Sequence, residues 1–376
     1  MNKKFSNKLT IFNFIFTLVI CVYHFPLWKY GANSTYSFIR EKIAYAAMAL
    51  FFLMSGFLLY QGINSKEDGI KKFQKRLYSL LIPYLIWNIV SIIFKNVLVD
   101  RIYPLSFVFL INAFLTGPSN GPIWYLLVTY LLSILAPLVG RFKHKKKTVS
   151  AVFLLILTYF YLRYLDIIPT FFIPGDLWYY YNTLSYLPFY IVGAYAGLYL
   201  KDALNDNRKS LIISICSVVL FGLSIYIYYF TKLSYLHFFC NLLIPITFFL
   251  MFPNCIFVSN LKPITENAFF AYVMHLPILI PLARKIITPI FRIQGTSFWF
   301  MILLATTAAI VMYLIATLIV YALKLILFKW NKAFEMLSGN RVKNNLSKYL
   351  NKKKATQTEN VENNEVEEKN SNATSN

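Results

Sequence analysis

The first place in this chain where chemistry could begin is an imidazole embedded in an apolar run. His24 closes the stretch Leu18-Val-Ile-Cys-Val-Tyr-His, inside a run from Leu9 to Trp28. Hydrocarbon solvates an imidazole poorly, so ionisable residues in membrane segments are rare, face a cavity or a polar partner, and mark candidate functional sites. A neutral imidazole within hydrogen-bond reach of an alcohol can take its proton, a general-base step that contributes about 10²–10⁴-fold. Burial disfavours the imidazolium and keeps the ring neutral and competent as a base. The plain alternative is a histidine that ends a helix and bonds a neighbouring backbone.

Other residues could assist. His275 lies in Ala271-Tyr-Val-Met-His-Leu-Pro. Its position suggests the inner part of its span, too deep to pair with His24. That leaves it a role in shaping a channel or in an interhelical hydrogen bond. Ser55 and Gly56, in Phe51-Phe-Leu-Met-Ser-Gly-Phe-Leu, lack the strand-turn-helix setting of a nucleophile elbow and read as a small pair that lets helices approach closely. Arg76 and Lys75 abut an apolar run where phosphates could be met, although topology alone also explains cations there. Trp124 and Tyr125, at a helix end, could stack on a sugar ring or simply be interfacial aromatics.

The elements that must hold these residues follow from composition. The chain has 376 residues, 58% hydrophobic, 18% aromatic and only 14% charged. Ordinary soluble domains carry about a quarter charged residues. Apolar runs of roughly 20 residues recur, the length that crosses a bilayer as a helix. The formal charge of +22 is spread between those runs, which fits topology control better than nucleic-acid binding. Cys21, Cys216, Cys240 and Cys255 show no CxxC spacing and read as buried small side chains. No His, Asp or Glu cluster has metal-ligand spacing, so no metal is expected.

The fold class expected is all-α: a polytopic transmembrane helical bundle of about ten spans, at roughly 9–28, 43–62, 77–97, 123–140, 148–165, 179–200, 211–230, 236–258, 268–287 and 298–328. A shorter apolar stretch, Pro104–Leu115, is expected to be re-entrant or interfacial. Basic connections at 66–76, 141–147 and 201–209 fall on the same side as the Lys-bearing N-terminus. The positive-inside rule makes that side, and both termini, cytoplasmic. Residues 1–330 are expected to form the membrane domain and 331–376 a polar, largely disordered tail.

In order, His24, the Ser55-Gly56 segment, Lys72-Phe-Gln-Lys-Arg-Leu, Ile82-Pro-Tyr-Leu-Ile-Trp, Gly121-Pro-Ile-Trp-Tyr-Leu, Leu187-Pro-Phe-Tyr-Ile-Val-Gly-Ala and the His275 segment form a series. This series resembles the integral-membrane acyltransferase 3 family over nearly the whole chain from Leu9 to Leu327. No single motif is specific; their joint order is. The resemblance implies transfer of an acyl group, usually acetyl from acetyl-CoA, to a hydroxyl of a cell-surface polysaccharide or other envelope molecule. His24 would hold the catalytic place, with acyl-CoA as a co-substrate and no bound cofactor. It implies a bacterial plasma-membrane protein, with the lipid bilayer and an envelope carbohydrate as partners, and a separate protein able to complete the transfer. The family's usual basic residue eleven positions before the histidine is Asn13 here, and a second arginine near Arg76 is replaced by Leu80. A transporter for lipid-linked glycans, or a silent ligand binder, are the competing readings.

Overall fold

The apolar runs fold as helices, and the two histidine-bearing ones lie against each other. The computed structural model describes residues 2–26, 34–98, 106–108, 121–167, 185–257, 265–290, 297–327 and 329–342, among which there is no strand. Helix α1 spans Lys3–His24, and the Asn2 side chain caps it by accepting from the Lys4 amide. Helix α2 spans Ser34–Tyr60. Helix α3, Lys66–Arg76, opens with a Ser65 cap, carries Glu67 and Asp68 in its first turn and ends on Lys75 and Arg76, the polarity its dipole favours. A π turn at Leu77–Leu81 joins it to α4, Ile82–Leu98.

Then follow α5 (Trp124–Ser133), α6 (Ala136–Phe142), α7 (Lys146–Tyr164), α8 (Leu187–Tyr195) and α9 (Lys201–Asn205). Helices α10 (Asn207–Phe230), α11 (His237–Leu250) and α12 (Ala268–Met274) come next. A π turn at His275–Leu279 leads into α13 (Ile280–Ile290), and α14 (Phe298–Ile326) and α15 (Asn331–Ser338) complete the described chain.

Among the described residues, seven stretches are long and apolar enough to cross a bilayer: 3–24, 35–60, 66–94, 121–142, 207–230, 268–289 and 298–326. The described parts of the other three expected runs correspond to α7, to α8 with the π turn Ala196–Leu200 that follows it, and to α11, which ends at Leu250, eight residues short of the expected 258. Pro104–Leu115 lies outside the described residues, save 106–108.

Helix α2 is the hub. It crosses α8 so closely that a Cβ built on Gly56 would sit 2.2 Å from the Tyr190 carbonyl oxygen. A hydrogen side chain is what permits that approach. Around this crossing, Phe52, Leu59, Phe189 and Ala194 are buried.

The polar connections gather at one end of the bundle. The Asn2 amide donates to Asn205 Oδ1 (2.9 Å), Lys143 Nζ to Asn64 Oδ1 (2.6 Å), and Tyr199 Oη to the Lys143 carbonyl (2.9 Å). The N-terminus and the three basic connections therefore share one face, called the basic end below. His24 ends α1 toward the other.

Ordered packing continues past the expected boundary at residue 330. Helix α15 packs on α4: Phe334 is fully buried, its ring 5.7 Å from Phe270, and Trp87 Nε1 donates to the Leu337 carbonyl (3.0 Å). An amphipathic turn can bury one face even in polar surroundings, a pattern too short to stand out beside the spans. Residues 343–376 lie outside those described.

Candidate active site

His24 opens into a cavity of about 470 Å³ that is also lined by Glu41, Tyr45, Trp124, Ser185 and Tyr186. One wall is aromatic: the Trp124 and Tyr186 rings lie 6.4 Å apart, and both pack on the buried Phe52 ring behind them (5.8 and 5.5 Å). Such flat, part-polar walls combine apolar contact with hydrogen-bonding edges. Beside His24, Tyr23 makes an edge contact at 5.0 Å, and the Arg40 guanidinium lies 5.3 Å from the Tyr23 ring centre. A cation thus stands one side chain away from the imidazole, contributed by α2.

His275 is fully buried, and its ring centre is 5.3 Å from that of His24. The expectation that the two rings lie at different depths is corrected. Cys21 Sγ lies against the Ala271 carbonyl (3.9 Å), so α12 begins level with the later turns of α1, well inside the bundle. From that shared level, three residues along one helix and four along the other bring both imidazoles together. Counting depth from the first apolar residue misplaces His275 because Ala268 is not at a membrane surface.

The local backbone explains the ring's pose. Pro277 has no amide hydrogen and cannot continue the regular ladder, and the chain widens into the π turn that starts at His275. Such turns recur at functional sites. His275 Nδ1 lies within hydrogen-bond distance of the Tyr272 carbonyl. A carbonyl can only accept, so Nδ1 carries the proton and Nε2 keeps its lone pair. Among the described residues Nε2 meets no hydrogen-bond partner.

A second cavity, about 370 Å³, lies toward the basic end and is lined by Asn13, Ser55, Arg76, Tyr125, Tyr272 and Arg341, among others. Arg76 Nη2 donates to the Ser55 carbonyl (3.3 Å), with Nη1 at a longer 3.5 Å from Ser55 Oγ. Asn13, eleven residues before His24, is about 16 Å away along the α1 axis and faces this second cavity. It does not stand beside His24 at all. Tyr125 also belongs here: it lines this cavity and not that of His24, its hydroxyl donates to the Phe51 carbonyl (2.9 Å), and its ring meets that of Phe52 edge-on (5.1 Å).

Lys75, expected beside Arg76 on the donor, is exposed and lines neither cavity. Lys75→Gln should leave the Michaelis constant for the donor unchanged within about twofold, the behaviour of a surface site. A large rise in that constant, measured beside Arg76→Gln, would contradict the placement.

A single layer of rings divides the cavities. Phe51, Tyr125 and Tyr272 form a triangle with centroid separations of 5.8, 6.1 and 6.2 Å. All three line the basic-end cavity, and the Tyr272 hydroxyl donates to the carbonyl of Pro122, which lines the His24 cavity. The Tyr272 ring is in turn 5.9 Å from His275. Tyr272, His275 and His24 therefore run as a chain of rings from one cavity to the other. Sequence reasoning missed Tyr272, Glu41, Tyr186 and Arg341. Tyr272 alone had a signal, lying one turn before a histidine already singled out.

A bundle of helices apolar enough to cross a membrane thus holds two cavities, one of them lined by His24 with His275 packed beside it. A family model described as an acyltransferase domain, that of the acyltransferase 3 family, matches residues 7–332. The chain belongs to this family and is a membrane acyltransferase. No curated protein and no solved structure matches it.

Proposed function

We propose that this acyltransferase moves an acetyl group from acetyl-CoA to a hydroxyl of an envelope carbohydrate in the plasma membrane of a bacterium. The donor enters the basic-end cavity, taken to face the cytoplasm by the positive-inside rule. The acceptor sugar occupies the His24 cavity against Trp124 and Tyr186. The observation that carries this reading is the 5.3 Å pairing of His24 with the buried His275, set between the two cavities.

The chemistry needs one proton moved and one bond exchanged. As the acceptor oxygen attacks the thioester carbonyl, the His24 imidazole takes its proton. The carbon–sulfur bond then breaks, the thiolate leaves, and the imidazolium returns the proton to sulfur. The ester and free CoA are the products. His275, with its proton fixed on Nδ1 by the Tyr272 carbonyl, turns a lone pair toward this region and steadies the imidazolium or the bound hydroxyl. The ring layer of Phe51, Tyr125 and Tyr272 keeps bulk water from the thioester until the acyl end passes it, which limits hydrolysis.

Reconstitution in sealed vesicles tests the arrangement. Labelled acetyl-CoA supplied on the basic-end face should place label on a glycan acceptor enclosed on the other face. Donor supplied on the glycan's own face should place none. Label that appears equally from either face, or never on a carbohydrate, would defeat the reading.

A further inference from the structure

Just beyond the family-matched residues, α15 ends in a hook that returns one arginine to the basic-end cavity. Gly339 (φ +60°) and Asn340 (φ +59°) both adopt the left-handed conformation, which L-residues with a Cβ avoid. At Gly339 a Cβ would stand 2.7 Å from the Ser79 carbonyl oxygen and 2.4 Å from Arg341 Nη1. The hook is cinched by Ser338, whose hydroxyl donates toward the carbonyls of Glu335 (3.0 Å) and Val342 (3.1 Å).

Arg341 is held in a fixed pose. Its Nη1 donates to the Ser79 carbonyl (2.7 Å) and lies 3.5 Å from that of Ser338. Its guanidinium plane sits 4.0 Å over the Phe269 ring. The Ser79 carbonyl is open to it for a local reason. Its regular helical donor would be the amide of residue 83, and Pro83 has none. Both hydrogen bonds within the described residues use Nη1, which leaves the other donors of the fork for the cavity. The side chain stays accessible from the cavity while protein surrounds it. Burial, and then the neighbouring Arg76 charge, lower its pKa to about 10, so it is cationic at neutral pH.

Arg76 lines the same cavity, and no Asp or Glu is among its described lining residues. Two guanidinium groups facing one space without a carboxylate repel each other until an anion enters. Planar forks suit phosphate oxygens in particular. We infer that Arg341 and Arg76 together form a phosphate-binding site in the basic-end cavity, and that its ligand is the phosphorylated nucleotide end of the acyl donor. The ligand's identity rests on the donor reading above; the anion site itself stands on the geometry.

The test uses the full chain purified in neutral detergent free of anionic lipid. Binding of CoA, of adenosine 3′,5′-bisphosphate and of phosphate-free acetyl-pantetheine is measured for wild type, Arg341→Gln, Arg341→Lys and Arg76→Gln. Arg341→Gln is expected to weaken CoA and the bisphosphate about ten- to hundredfold, the span for a lost charge-assisted hydrogen bond. Arg341→Lys should fall between, and acetyl-pantetheine should be unaffected. If Arg341→Gln binds CoA as tightly as wild type, or loses acetyl-pantetheine equally, the inference is overturned while the donor reading stands. Wild type that ignores CoA yet takes phosphatidylglycerol in mixed micelles through Arg341 would overturn both the nucleotide assignment and the donor reading.

Discussion

His24→Ala should lower acyl transfer by about 10²–10⁴-fold, the contribution of a positioned general base, with donor binding unchanged. The separation of cavities is what makes the second half of this expectation sharp. His24 lines only the cavity away from the basic end, so the contacts that would hold the proposed donor in the basic-end cavity do not include it. The loss should therefore appear in kcat and not in the donor's Michaelis constant, the pattern of an interaction made in the transition state alone. His275→Ala should cost less, about tenfold to a hundredfold, because its ring acts through its neighbour. The double variant should be little worse than His24→Ala, since groups that act as a unit are not additive. Transfer measured with labelled donor and a glycan extract decides it. Wild-type turnover in His24→Ala would remove the imidazole from the mechanism.

Gly56→Val should prevent folding of the bundle. A Cβ at this position would overlap the Tyr190 carbonyl oxygen at 2.2 Å and the Ala194 amide nitrogen at 2.9 Å, both backbone atoms of α8. Side chains can change rotamer to relieve crowding; two helix backbones can only move apart. Overpacking in cores costs about 1–3 kcal/mol, occasionally more, and here Phe52 and Phe189 would lose their packing too. Gly222 offers a control on α10, where a Cβ would meet no atom within 4 Å. Gly222→Ala should be neutral or slightly stabilising, since alanine favours a helix by about 1 kcal/mol over glycine. Detergent-solubilised yield and thermal midpoint distinguish the two; a Gly56→Val protein that melts like wild type would mean that α2 and α8 do not cross as described.

The parts of this site that were legible in the sequence are those whose signal is local. A polar group in an apolar run flags itself, as His24 does, and a Ser-Gly pair in the middle of a span announces a close helix crossing. The span positions follow from hydropathy because a helix must satisfy its own backbone in lipid. What stayed hidden depends on relative placement. The meeting of His24 with His275 requires knowing that α12 starts inside the bundle, and no run length reports that. Trp124 and Tyr125 are neighbours in the chain, yet consecutive residues on a helix point about 100° apart, so Trp124 lines the His24 cavity and Tyr125 the basic-end one. Arg341 sits in a polar, basic segment where one more cation carries no distinguishing mark. Its meaning comes from a left-handed glycine before it and a proline 258 positions earlier that exposes a carbonyl.

That hook changes where the working unit should be taken to stop. Homology draws the edge at residue 332, whereas burial carries it on to residue 342. Trimming the chain at the homologous edge would strip the Phe334 ring from its seat, leave the Trp87 indole hydrogen without its acceptor and remove a charge from the basic-end cavity. If the hook grips the donor as inferred, a relative without an equivalent of this short return would have to hold its donor some other way, and the stretch after the last long helix would be where donor preference diverges among otherwise similar bundles.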